Sequence, residues 1–209
     1  MLKKILIASG NSHKISEIIS VLKDFKNLEL LSLKDFGVSV DVIEDGKTLN
    51  DNAFKKAKEI YGIFKIPTIS DDTGLFVDAL NGEPGVYSAR YAGEHASYSD
   101  NCKKLIENLK NHSLEKRTAR FESVICFYVN DNEYYLFNGI CEGKIIFDGR
   151  GEKGFGYDSL FVPDGLDLTF AEMSDEEKNK ISHRGRALQE FKMSICENHS
   201  QRGQSFIYS

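Results

Sequence analysis

Lys4-Ile5-Leu6-Ile7-Ala8-Ser9-Gly10-Asn11-Ser12-His13-Lys14 is the stretch from which the fold class can be read. Residues 4–8 form a short apolar run halted by Ser9-Gly10-Asn11, the pattern of a buried strand. A helix should follow, because Ile15, Ile18, Ile19 and Leu22 recur at i, i+3, i+4 and i+7 and Asn11 or Ser12 is available as its N-cap. A strand that turns at once into a helix predicts an α/β protein. It also leaves backbone N–H groups at the helix start, where the helix dipole and Lys14 favour a phosphate. A capped helix with a solvated lysine explains the same residues equally well, and the spacing is not that of a Walker A loop.

Further along, Leu28 to Leu33 reads as a second strand. Thr48 with Asp51 three residues on is the acidic form of a capping box. Leu49, Ala53, Ala57, Ile60, Tyr61 and Phe64 then carry a helical stripe that Pro67 ends. Thr68 to Ser70 closes a short apolar run, and Leu75 to Leu80 reads as another strand after Asp71-Asp72-Thr73-Gly74. Asn81-Gly82-Glu83-Pro84-Gly85 is a turn or loop. Ser97 to Leu109 is a helix with Cys102, Leu105, Ile106 and Leu109 on one face. Phe121 to Val129 and Glu133 to Phe137 flank Asn130-Asp131-Asn132, a hairpin signal, and Cys141 to Phe147 extends that sheet. The last helix spans Arg186 to Glu197. With no internal repeat or linker, the pattern predicts one α/β domain over residues 1–198 and a polar tail over 199–209.

Composition narrows the function. The 209 residues, 41% hydrophobic and 28% charged, suit an ordinary soluble protein with a sizeable core. A net charge of −5 argues against a surface that coats nucleic acid. No stretch approaches a membrane span, and the apolar run after Met1 is too short for a secretory signal, so a cytoplasmic protein is expected. Cys102, Cys126, Cys141 and Cys196 form no CxxC pair and read as reduced thiols.

Several segments are candidates for chemistry. Asp71 and Asp72 are adjacent carboxylates at a strand end, where neighbours point to opposite faces. They repel unless a metal or a basic group neutralises them. The alternative is an Asx turn with Gly74 at positive φ, and the segment by itself favours that turn. Glu44-Asp45-Gly46 is an acidic turn that matters only if the fold brings it to Asp72. Arg90 is a candidate phosphate partner with a rigid fork. Gly149-Arg150-Gly151-Glu152-Lys153-Gly154 fits G-x-G-x-x-G but is not followed by a helix pattern, so it reads as a loop presenting Phe155 and Asp158, the one to stack on a flat base and the other to accept from its edge. Ser174 with Glu177 is a capping box, and Lys178, His183 and Arg184 supply donors close by.

Taken together the chain resembles the inosine triphosphate pyrophosphatase family, house-cleaning enzymes that hydrolyse non-standard purine nucleoside triphosphates. The resemblance is carried by Ser9-Gly10-Asn11-Ser12-His13-Lys14, Glu44-Asp45-Gly46-Lys47-Thr48, Ser70-Asp71-Asp72-Thr73-Gly74-Leu75, Gly85-Val86-Tyr87-Ser88-Ala89-Arg90-Tyr91, Gly154-Phe155-Gly156-Tyr157-Asp158 and Ile181-Ser182-His183-Arg184-Gly185, in the family's order across nearly the whole chain. Ser9 replaces the usual Thr and Thr73 the common Ser, both keeping the hydroxyl. The polar tail has no family counterpart.

The resemblance implies a two-lobed α/β unit, a mixed sheet flanked by helices around a central nucleotide cleft. It implies cleavage of ITP, dITP or XTP to the monophosphate and pyrophosphate, with Mg²⁺ as cofactor. Asp72 would be the general base and a magnesium ligand, Glu44 a second ligand, and Asp71 a support for Asp72 or the metal's water shell. Ser9, Gly10, Asn11, Lys14 and Thr73 would cradle phosphates. Phe155, with Gly156 and Tyr157 in the same motif, would take the base. Asp158, Lys178, His183 and Arg184 would read its edge and the sugar. A homodimer is the family expectation. A Maf-like pyrophosphatase for other nucleotides, a non-hydrolytic nucleotide sensor and an NAD-dependent oxidoreductase built on Gly149 to Gly154 are the competing readings.

Overall fold

The structure, a computed structural model, describes residues 3–201, with side chains through Ile195. Among the described residues there are seven strands, β1 (Lys3–Ile7), β2 (Leu28–Ser32), β3 (Thr68–Val77), β4 (Pro84–Gly85), β5 (Thr118–Asn130), β6 (Glu133–Ile145) and β7 (Phe161–Pro163), and five helices. The strand order is β2-β1-β3-β5-β6-β7, with β4 paired to β3, and parallel and antiparallel pairs both occur, so the sheet is mixed. By contact density the chain divides into two compact units: one draws on residues up to Asp72, Ser123–Gly139 and the chain from Arg184 on, the other on Thr73–Glu122 and Ile140–His183.

In the first unit β1 (Lys3–Ile7) runs parallel to both β2 (Leu28–Ser32) and β3 (Thr68–Val77), with Ile5 opposite Leu30 and Ile7 opposite Ile69. Side chains alternate between the faces of a strand. Ile5, Ile7 and Ile69 accordingly pack with Ile18 and Leu22 of α1 (Ser12–Leu22) and Leu188 and Phe191 of α5 (His183–Gln201). Leu6 and Ala8 pack with Leu33 and with Ile60 of α2 (Leu49–Phe64). Burial on both faces is why β1 reads as an unbroken apolar run. In α1 the stripe centres on Ile18 and Leu22 and takes in Val21, which leaves Ile19, expected inside, 42% exposed on the rim.

Strand β3 differs from expectation. It is one ten-residue strand that continues through Asp71, Asp72 and Thr73, not two strands with a turn between. Gly74 has no positive φ. A Cβ there would stand 2.6 Å from the Gly85 carbonyl oxygen, so this glycine permits the close approach of β4 (Pro84–Gly85), which pairs antiparallel at Leu75 and Phe76.

The second unit holds β4, β7 (Phe161–Pro163), α3 (Tyr98–Leu109) and α4 (Asp175–Ile181), with parts of β3, β5 (Thr118–Asn130) and β6 (Glu133–Ile145). Its core is Leu75, Leu105, Leu109, Phe121, Ile145, Phe161 and Phe170. β6 is continuous where two strands were expected, and the short β7 pairs with it at Ile145 and Phe161. Residues 151–160 form turns with no helix, which removes the dinucleotide-binding reading of the glycine motif. Capping boxes open α2 at Thr48 with Asp51, α3 at Ser97 with Asp100 and α4 at Ser174 with Glu177.

Helix α5 begins at His183, three residues before the expected start, directly after Ser182 leaves α4 in extended backbone. His183 and Arg184 therefore stand in the first turn of a helix. The expected tail from His199 is helical through Gln201, and the rest of it lies outside the described residues. Among the described residues no helix is long and apolar enough to cross a membrane.

Candidate active site

Alternation along β3 separates the two aspartates. Asp71 shares a face with Ile69, toward α1 and α5, whereas Asp72 shares the opposite face with Ser70, whose hydroxyl donates to the Ala53 carbonyl of α2 at 2.5 Å.

Asp71 has no exposed side-chain surface, and both of its oxygens are taken. Oδ1 accepts from Ser123 Oγ at 2.6 Å and from Arg184 Nε at 3.1 Å. Oδ2 accepts from a second Arg184 nitrogen at 3.1 Å and pairs with Lys14 Nζ at 2.6 Å. A third Arg184 nitrogen donates to Glu17 of α1. Burial alone would raise the Asp71 pKa, but the charges of Arg184 and Lys14 overcome it and hold the carboxyl well below the usual carboxylate range. Burial likewise opposes the charge on Arg184, and Asp71 and Glu17 outweigh it and raise its pKa.

Asp72 lies in a different field. Its Oδ1 accepts from Lys56 Nζ at 3.0 Å, while its buried Oδ2 has no hydrogen-bond partner among the described residues. Burial pushes this carboxyl up; Lys56 and Lys14 offset only part of that, and Glu44 adds to it. The Lys56 ammonium also donates to Glu44 Oε1 at 2.8 Å and to the Asp71 carbonyl at 2.7 Å. Burial disfavours its charge, yet Asp72 and Glu44 prevail and raise its pKa.

Sequence reasoning did not single out Lys56, which is neighboured by Lys55 and Lys58 on a helix of mixed charge. Its position one turn from Ala53 and Ile60 places it on the buried face, and that spacing was the available signal. Glu17 and Ser123 had no local signal.

The loop before α1 is organised by its own side chains. Asn11 Oδ1 accepts from the N–H groups of His13 and Lys14 at 3.0 and 3.3 Å, so two donors expected to stand open are capped by the protein. Ser9 Oγ accepts from Asn11 N at 3.2 Å, and Gly10 is exposed with open space where a Cβ would be.

In the second unit Asp158 Oδ2 accepts from Lys178 Nζ and from the Phe155 N–H, each at 2.8 Å. Gly154 adopts φ 72°, and a Cβ on it would meet Asp158 Oδ2 at 2.2 Å. The half-buried Phe155 ring has Tyr98 at 6.0 Å on one side, and the buried Lys178 ammonium is 5.1 Å from its centroid. Tyr157 is buried and donates to the Ser88 carbonyl at 2.8 Å; Gly156 accepts from Cys102 Sγ at 3.3 Å. His183 stacks on Phe121, centroids 4.6 Å apart. Arg90 lies in a 3₁₀ turn with its guanidinium over the Tyr87 ring and 3.7 Å from Glu94; Thr73 is half-buried.

The structure thus brings Lys14, Glu44, Asp71, Asp72 and Arg184 together in the first unit, and Phe155, Gly156, Asp158 and Lys178 together in the second. It departs from expectation for two residues. Arg184, expected to read a base or sugar, is directed to Asp71 and Glu17. Asp71, expected to support a metal, spends both oxygens on cationic side chains and a hydroxyl. Among the described residues no three His, Cys, Asp or Glu side chains converge as metal ligands.

The first unit of this α/β chain gathers three basic side chains on two adjacent buried aspartates, and the second holds a lysine-backed aromatic ring. The chain belongs to the Ham1 family, whose model matches residues 5–194. Among similar proteins, the dITP/XTP pyrophosphatase of Clostridium perfringens is 49% identical, with 91% of this chain and 96% of that protein covered. The dITP/XTP pyrophosphatase of Desulfotalea psychrophila is 48% identical over 92% of this chain and 85% of that protein. Among solved structures, a HAM1 protein from Coxiella burnetii superposes with a TM-score of 0.84 at 36% identity, covering 93% of this chain and 99% of its own.

Proposed function

We propose that this chain hydrolyses the non-standard purine nucleoside triphosphates dITP, XTP and ITP to the nucleoside monophosphate and pyrophosphate. The observation that carries the reading is Asp72, a buried carboxylate whose raised pKa suits a base and whose Oδ2 has no hydrogen-bond partner among the described residues. The names of the relatives, dITP/XTP pyrophosphatase, supply the substrate class.

Phosphoryl chemistry asks the protein mainly for positioning and charge neutralisation. Asp72 takes the proton of the attacking water. Lys14 and Lys56 offset phosphate charge, with Ser9, Gly10, Asn11, Thr73 and Arg90 as further phosphate contacts. Phe155 stacks on the base, between Gly154 and the Gly156-Tyr157 turn. Lys178 and His183 read the base and sugar, and Asp158 aligns both Lys178 and the Phe155 backbone. Rigid donors suit the 6-oxo acceptor of hypoxanthine and xanthine and oppose the 6-amino donor of adenine, a mismatch that discriminates strongly when buried. Arg184 and Asp71 act together as the support of Lys14.

Glu44 and Asp72 fit a divalent cation: one has a carboxylate on the shared Lys56, the other a buried oxygen left over. Mg²⁺ takes one or two protein carboxylates and completes its shell with water and phosphate, so a pair suffices without Asp71. The ion would supply charge neutralisation at the phosphates. The proposal extends to a cytoplasmic homodimer, which sedimentation of the pure protein tests.

The direct test incubates the pure protein with Mg²⁺ and separately with dITP, XTP, ITP and ATP, and measures monophosphate and pyrophosphate. Monophosphate from the first three and little from ATP is the expected result. Equal rates on ATP and ITP would end the donor-based account of selectivity, and release of orthophosphate would end the assignment of the cleaved bond.

A further inference from the structure

One buried polar side chain of the first unit bonds to neither aspartate and lies beside the acidic loop. Asn52, in the first turn of α2, is 1% exposed. Its Oδ1 accepts from the Gly46 N–H at 2.8 Å, while its Nδ2 has no hydrogen-bond partner among the described residues. A buried donor left unpaired is costly, and an apolar side chain at this place would remove the cost. What distinguishes asparagine from such a side chain is the bond to Gly46.

That bond falls at a consequential place. Gly46 is two residues beyond Glu44, and residues 38–46 form neither helix nor strand. Asn52 stands one helical turn before Lys56, the residue that pairs with both Glu44 and Asp72. Helix α2 is itself tied to β3 by the Ser70 hydroxyl on the Ala53 carbonyl. The acidic loop is therefore held at two points on one face of α2: a long flexible lysine shared between two acids, and a short carboxamide that grips the backbone. The exposed pair of Lys55 and Asp45 adds little, because solvent screens it.

We propose that Asn52 is the positioning residue for Glu44. By fixing the Gly46 amide against α2 it keeps the Glu44 carboxylate at the ammonium it shares with Asp72, ready for a divalent cation, an inference that rests on the functional reading above. Asn52 acts through the loop backbone and touches no reacting atom.

Three variants test this. Asn52→Ala removes the acceptor, and Asn52→Asp keeps an oxygen for Gly46. Gly46→Ala leaves Asn52 intact but sets a Cβ 2.6 Å from its Oδ1 and 2.7 Å from the Asp51 Cβ, which displaces the loop. Residues that orient metal ligands typically alter metal affinity 10–100-fold, so Asn52→Ala should raise the half-saturating Mg²⁺ concentration by about tenfold or more, with kcat at saturating Mg²⁺ much less affected. Hydrogen exchange at the backbone amides of residues 43–48 should speed up in Asn52→Ala and stay near wild type in Asn52→Asp. A folded Asn52→Ala protein with wild-type Mg²⁺ midpoint and wild-type exchange would overturn the proposal. If Asn52→Ala does not fold, Gly46→Ala decides: a raised midpoint supports the proposal and an unchanged one overturns it. If the wild-type protein shows no Mg²⁺-dependent hydrolysis, the functional reading fails, and the exchange comparison still judges whether Asn52 fixes the loop.

Discussion

Asp71 and Asp72 are neighbours on one strand, equally buried, and their surroundings push them in opposite directions. On the α1 and α5 side, Asp71 meets an arginine, a lysine and a hydroxyl, and its carboxyl is held far down. On the α2 side, Asp72 meets one lysine that is shared with Glu44, and its carboxyl is pushed up with one oxygen left over. Burial acts alike on both; the supply of cations differs. The first has partners on both of its oxygens. The second is under-supplied, which suits the roles of base and ligand proposed for it.

The largest expected effect sharpens that contrast. Asp72→Asn should lower turnover by about 10²–10⁴-fold, the span of a general base, without unfolding the protein. The carboxamide keeps an acceptor for Lys56, and Glu44 still pairs with that ammonium, so the variant should stay folded, which circular dichroism and thermal melting check. A variant with normal turnover would break the comparison at its functional end.

Asp71→Asn comes next and acts on stability. Removing one partner of a buried pair costs about 3–5 kcal/mol, here because Arg184 and Lys14 are left facing a neutral group. Its pH dependence has a fixed sign. The native carboxyl titrates below the unfolded one, so the stabilisation is complete above the ordinary carboxylate range and is lost as pH falls beneath it. Urea unfolding at several pH values should show that acid loss in wild type and a flatter profile in the variant. Ser123→Ala removes one hydroxyl from the same carboxylate and should cost about 1.5–3 kcal/mol, read as a lower melting temperature.

Lys56→Met gives the subtlest readout. Taking away the cation on Asp72 should move the acid limb of kcat/KM to higher pH, since burial and Glu44 then act on the base with less opposition. An acid limb at its wild-type position would show that some other group titrates in that limb.

How much of this was legible follows from how local each feature is. The β1 to α1 unit and the capping boxes at Thr48 and Ser174 are written in contiguous residues and were read from them, whereas the third box, at Ser97, was not singled out. The continuity of β3 was not, because Asp-Asp-Thr-Gly has the chemistry of a turn; it stays a strand because Gly85 needs the space at Gly74 and cations absorb the charge. The family motifs named residues that the fold brings together, but not how their side chains pair. Arg184 was grouped with His183 by sequence, and the first turn of α5 sends His183 onto Phe121 and Arg184 onto Asp71. Glu17 and Ser123 join that site only through contacts with residues remote in sequence, which no local pattern encodes.

The bond between Arg184 and Asp71 spans 113 positions, and that between Arg184 and Glu17 spans 167. Contacts of such separation close long loops, whose entropic cost the packing of the intervening chain must offset. During synthesis, Asp71 leaves the ribosome with Lys14 already made and Arg184 still to come, near the end of the chain. The nascent polypeptide must carry a half-neutralised acid in the strand next to Asp72 until α5 arrives. Completion of α5 is thus the event that closes the charge balance at Asp71, and a chain arrested before it lacks the arginine partner of that carboxylate.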